Sequence, residues 1–202
     1  MEDIMILETK VDWKAFAYKY SENPQSAFEN LTYYLFCHEF NQKNGIFRYF
    51  NQPHIETNPI QVGKELIGFQ SKYYQDSVSI SSKKGELIEA IAGAAETYPG
   101  ITTIYFYISR DFASSSKKNK TKPVYQTDIE KAAQKLGIKV VWKGKSHIEA
   151  QLMLNNQLAI CRNVFFKSIL LYRIVVNRLM DVRMICLNIL KQKFNIKIKM
   201  LS

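Results

Sequence analysis

The nine residues Ile101 to Ser109, ITTIYFYIS, constrain this chain more than any other stretch, because they are β-branched or aromatic almost throughout and carry no charge. Such a run suits a strand covered on both faces. It belongs in the middle of a sheet, so the flanking sequence must supply helices for both sides. Downstream, Ile129, Ala132, Ala133 and Leu136 recur at helical spacing, Thr127 and Glu130 form a capping box, and Gly137 stops the helix before a strand, IKVVW. Upstream, Lys83 to Thr97 reads as a helix that buries Leu87, Ile88, Ile91, Ala92 and Ala95 and ends at Pro99-Gly100. Asn23-Pro24 supplies an N-cap and a first helical residue for a longer helix reaching about Phe40. Phe28, Leu31 and Leu35 form one of its stripes, and Glu29, Tyr33, Phe36 and Phe40 another, so it packs centrally. Asp12 to Tyr20 reads as a short helix or strand. Ser146 with Glu149 gives a further capping box and a helix toward Leu154. The resulting order, α-β-β-β-α-β-α-β, is that of an α/β fold with a central mixed β-sheet flanked by helices.

Charge is distributed unevenly. The 202 residues carry a formal +10, but nine Lys and Arg against one Asp lie from Cys161 onward, a local +8. The rest holds 19 Lys and Arg against 17 acids, a net +2, so the overall charge says little about a binding face on the body. Two segments are therefore expected: a domain over 1–154 and a basic, helical C-terminal extension over 155–202. Cys37, Cys161 and Cys186 contain no C-x-x-C pair, which points to reduced, buried thiols in a cytoplasmic protein. The acidic start MEDIMILETK has no apolar signal region, and SILLYRIVV falls short of the ~20 residues that cross a bilayer, so no membrane partner is expected.

The chemistry concentrates between Ile46 and Tyr74. In IGFQSKYY, alternation sends Ile67, Phe69 and Ser71 to one face and Gly68, Gln70 and Lys72 to the other. His54 and Glu56 share a face of an upstream strand-like run, and a turn at Gly63-Lys64-Glu65 folds the two runs into a hairpin. An acid, an amide and an amine then converge. An acid on one strand followed by Gln-x-Lys on the next resembles the PD-(D/E)xK nuclease superfamily, in the Q-x-K variant of its Mrr-type restriction-endonuclease-like branch. The resemblance runs from about Trp13 to Leu154 and includes the helical AFENL context of Glu29 and the separation of 14 residues between Glu56 and Gln70.

That resemblance implies a restriction-endonuclease-like sandwich and a metal-dependent DNA endonuclease used in defence against foreign DNA, alone or as the effector module of a larger system. Glu56, Gln70 and Glu29 would hold Mg²⁺ or Mn²⁺, and Lys72 would orient the attacking water or stabilise charge in the transition state. Glu and Gln replace the commoner Asp and Glu, which weakens metal binding and implies low or triggered activity. Lys83 and Lys84 at a helix start suggest contacts to DNA phosphate, and the lysine-rich ASSSKKNKTKP suggests a DNA-contacting or solubilising loop. Double-stranded DNA is the expected partner, with a homodimer or larger defence assembly. The alternative is a catalytically degenerate nuclease fold serving as a nucleic-acid-binding or protein-interaction module. The chain has no P-loop motif, no H-E-x-x-H and no G-x-S-x-G, which argues against an NTPase, a zinc hydrolase or a serine hydrolase.

Overall fold

The computed structural model describes residues 11–49, 51–114, 122–154 and 157–165, all within one compact unit that ends at Phe165. The chain runs α1 (Trp13–Lys19), α2 (Pro24–Glu39), β1 (Ile60–Val62), β2 (Glu65–Lys72), a 3-10 turn (Ile80–Lys83), α3 (Lys84–Thr97), β3 (Thr103–Ile108), α4 (Val124–Lys135), β4 (Lys139–Lys143), α5 (Lys145–Leu154) and α6 (Leu158–Phe165). It is an α/β fold around a four-stranded mixed sheet in the order β1-β2-β3-β4. β1 is antiparallel to β2, and β2, β3 and β4 are mutually parallel. Two strands precede α3 among the described residues, one fewer than the sequence suggests.

β3 lies inside the sheet, between β2 and β4. Its two faces are both apolar because each meets a helical layer. Ile104, Phe106 and Ile108 join Leu87, Ala90, Ile91 and Ala94 of α3, Ile129 and Ala133 of α4, and Ile55 in one core cluster. On the other face Tyr105 meets Phe36 of α2 and Phe40 at the helix's C-cap, and Tyr107 stands edge-on to Phe69 at 5.9 Å. Phe69 stacks on Phe36 at 4.6 Å. Helices α3 and α4 thus cover one side and α2 the other.

α2 follows its sequence signals: Asn23 accepts from the Ser26 N–H, Pro24 is the first helical residue, and Phe28, Leu31, Leu35 and Phe36 are buried. α3 buries Leu87, Ala90, Ile91 and Ala94, a face turned slightly from the expected one, so Ala92 is exposed. Both expected downstream capping boxes fail. α4 begins at Val124 after Pro123, which leaves Thr127 inside the helix donating back to the Pro123 carbonyl. The start of α5 is capped from a distance by Asp111, which accepts from the Ser146 N–H at 3.0 Å and from its hydroxyl. Glu149 instead accepts from the Trp13 indole at 2.7 Å.

The residues following Leu154 are not all appendage. In α6, Cys161 and Phe165 are 1% exposed, and the Phe165 ring lies edge-on to Trp13 at 5.3 Å. The basic sequence over 166–202, with Cys186, and most of the lysine-rich loop, 115–121, lie outside the described residues. Cys37 and Cys161 are buried free thiols, as expected, and burial pushes both up in pKa. No described helix is long and apolar enough to cross a membrane.

Candidate active site at the edge of β2

The expected hairpin forms, but its upstream arm is displaced. The two-residue turn Gly63-Lys64 pairs Val62 with Glu65, and Gly63 takes the left-handed conformation, φ 59°, that the turn needs. β1 covers only Ile60 to Val62. His54 and Glu56 lie before it in a bent segment where His54 has φ 66°, so they do not share a strand face. Pro53 and Pro59 bracket this segment, and a proline cannot donate to a ladder.

Glu56 nevertheless reaches the strand it was expected to face. Leu66 and Lys72 turn their carbonyls to Thr102 and Ser109 on the β3 side, so Phe69 and Ser71 turn theirs to the opposite edge. Beyond Ile67 no strand among the described residues covers that edge. Glu56 occupies it: its N–H donates to the Phe69 carbonyl at 2.9 Å, and its Oε1 accepts from the Ser71 N–H at 2.9 Å. Burial drives its pKa up from 4.5 to about 7, helped by the Glu29 carboxylate and opposed by the Ser71 N–H, Lys72 and Arg48.

The alternation within β2 is as the sequence indicates. Phe69 and Ser71 face α2, where the Thr32 hydroxyl donates to the Ser71 hydroxyl at 3.0 Å. Gly68, Gln70 and Lys72 face the α3 side. Gly68 is closely packed: a Cβ there would come within 3.1 Å of the Ile55 and Ile101 methyls, which would have to give by a few tenths of an ångström. Gln70 is 6% exposed; its Nε2 donates to the His54 carbonyl at 2.6 Å, and its Oε1 has no hydrogen-bond partner among the described residues. Lys72 turns to α3, pairing with Glu86 Oε1 at 3.1 Å.

Glu29 lies on α2 and lines one polar cleft with Glu56, Arg48, Asn51 and Gln52. Its Oε1 is 3.2 Å from the Arg48 guanidinium, which also donates to Asn30. Lys83 pairs with Glu86 at 3.3 Å and Lys84 with Asp128 at 3.1 Å. Both lysines expected to meet phosphate therefore already have carboxylate partners, and a phosphate would have to compete with them. Arg48 and Glu86 are the charged groups that sequence reasoning missed. The spacing Lys83-x-x-Glu86 signals one ion pair, whereas Lys72 to Glu86 joins a strand to a helix.

The donor chemistry suits a hard cation. A buried carboxylate with a raised pKa and an amide oxygen without a donor are both groups that a cation would satisfy. Glu56 and Glu29 share the cleft, whose lining does not include Gln70, so a cation held by Gln70 Oε1 as well would need that side chain to turn toward Glu56. Among the described residues no three His, Cys, Asp or Glu side chains come together as a metal-ligating group. Neither a family model nor a curated protein matches the chain.

Proposed function

We propose that the chain is a metal-dependent DNA endonuclease domain of restriction-endonuclease-like architecture, acting on foreign DNA alone or within a larger defence assembly. The observation that carries this reading is the attachment of Glu56, through its main-chain N–H and its carboxylate, to the backbone of the strand that bears Gln70 and Lys72. Bound Mg²⁺ or Mn²⁺ would polarise the scissile phosphate and lower the pKa of the attacking water. Glu56 supplies the anionic oxygen, and Gln70 presents its oxygen because the His54 carbonyl holds its amide nitrogen. Glu29 closes the far side of the cleft. Lys72, once free of Glu86, supplies a positive charge for the water or for the developing charge on phosphate.

A second reading has its own support. Lys72 is already neutralised by Glu86, and the acidic set stops at two, as in a nuclease fold that retains binding and has lost turnover. A plasmid-nicking assay with Mg²⁺, Mn²⁺ or EDTA separates the two. Metal-dependent nicking that disappears in Glu56→Gln supports the endonuclease. Folded wild-type protein that cleaves with neither metal is the degenerate module.

A further inference from the structure

The segment before the site is built in an unusual way. Asn41 to Asn58 contains six Asn or Gln residues, two cations and a single acid, with Phe47 and Tyr49 at its centre. These rings are 65% and 62% exposed, although aromatic side chains of this size ordinarily bury most of their surface. They lie against each other edge to face at 4.9 Å.

Their backbone is fixed. The Ile46 N–H donates to the Tyr33 hydroxyl of α2 at 2.9 Å. Gly45 passes so close that a Cβ would come within 2.5 Å of that hydroxyl. Arg48, between the two rings in sequence, turns the other way, stacking over the Tyr33 ring at 4.9 Å and bonding Glu29 and Asn30. The Tyr49 N–H is held by Gln52 at 2.9 Å, and the Phe47 carbonyl accepts from Asn58 at 3.0 Å. Phe47 and Tyr49 therefore project from a pinned segment, with little ordering left to do on binding. Tyr49 also lines the cleft that holds Glu29 and Glu56.

The geometry points to a base-stacking platform: Phe47 and Tyr49 receive unpaired bases of a nucleic-acid strand whose backbone enters the Glu29–Glu56 cleft. This rests on the nuclease reading of the cleft and narrows its substrate to DNA with single-stranded character, such as a flap, a bubble or an extruded base. Bases in an intact duplex are stacked on one another and offer no face to a protein ring, whereas an unpaired base gains from each aromatic it meets. The surroundings favour this occupant over a protein. Amide-rich surroundings suit base edges, whereas an apolar partner would require exposed aliphatic side chains, and the two in this stretch, Ile46 and Ile55, are half-buried and buried.

The test is fluorescence anisotropy with a labelled mixed-sequence oligodeoxynucleotide, single-stranded or annealed to its complement, against the full chain in EDTA, where no metal-dependent cleavage proceeds. Wild type should bind the single strand at least about tenfold more tightly than the duplex. Phe47→Ala/Tyr49→Ala should lose about tenfold on the single strand and little on the duplex, while Phe47→Trp/Tyr49→Trp retains the preference. Equal affinity of wild type for both probes overturns the proposal, and so does single-strand binding by the double-alanine protein at wild-type strength. A wild-type dimer that the alanine pair dissociates, with oligonucleotide binding unchanged, overturns it too and gives the ridge to a second copy. The nuclease reading fails separately: a protein that keeps its strand preference but, with Mg²⁺ or Mn²⁺, cleaves neither a plasmid nor a duplex carrying a bubble or flap has the platform without the catalysis.

Discussion

Gln70 donates its side-chain amide to the His54 carbonyl oxygen at 2.6 Å, which fixes which end of the amide is left without a partner. A carboxylate at this position would set one acceptor against another. Gln70→Glu is therefore expected to lower stability by about 1–3 kcal/mol in EDTA above neutral pH, because a buried acceptor loses its donor. Mg²⁺ should return much of that loss. Thermal melting with and without the metal reads both effects, and an unchanged Tm in EDTA would show that His54 does not orient the amide.

The raised pKa of Glu56 has a definite sign in stability. Between about 4.5 and 7 the folded state holds a proton that the unfolded chain has released, so stability falls as pH rises and the full cost is present above 7. A shift of that size corresponds to at most about 3 kcal/mol. Glu56→Gln removes the charge but keeps an oxygen for the Ser71 N–H. It should match wild type near pH 4.5 and exceed it by up to that amount near pH 8 in urea unfolding. The same proton must leave when a cation binds, so metal affinity measured by calorimetry should climb with pH until about 7.

Lys72 and Glu86 form an ion pair whose side chains are 22% and 39% exposed, so breaking it should change stability by less than about 1 kcal/mol. Glu86→Gln is expected to raise the nicking rate severalfold by releasing the amine. Lys72→Ala should slow nicking while leaving Mg²⁺ affinity nearly intact, since the amine acts on the transition state more than on the ground state. Wild-type rates in Lys72→Ala would remove that residue from the chemistry.

Phe165 defines where the body ends. It is 1% exposed and packs against Trp13 and Phe16, so Phe165→Ala should cost about 3–5 kcal/mol. A chain stopped after Phe165 should melt cooperatively near the full-length Tm, and one stopped after Leu154 should melt well below it. Equal melting of the two would place α6 outside the core.

What could be read from the residues was whatever local rules decide. Asn23-Pro24 starts α2, the unbroken apolar run puts β3 inside the sheet, and Gly63-Lys64 turns the hairpin. Gln70 and Lys72 share a face because a strand permits nothing else. Contacts between distant segments were not legible. Asp111 caps α5 across 35 residues, Glu86 draws Lys72 toward α3, and Arg48 draws Glu29 into an ion pair. The strand assigned to His54 and Glu56 fails for a local reason, Pro53 and Pro59, that hydrophobic alternation does not register. Phe165 is hidden by its basic neighbours, whose composition sets the extension apart although α6 packs on the body.

The short reach of β1 gives Glu56 a second duty. An uncovered strand edge with free N–H and C=O groups is a template on which another chain can add a strand. Over Phe69 to Ser71 that template is blocked by one residue, whose main chain takes the carbonyl and whose carboxylate takes the N–H. Alanine at position 56 would keep the first bond and lose the second, leaving the Ser71 N–H open to an intruding strand. An inactive Glu56→Ala preparation could then owe its silence to self-association, and only the glutamine variant keeps the edge closed while removing the charge.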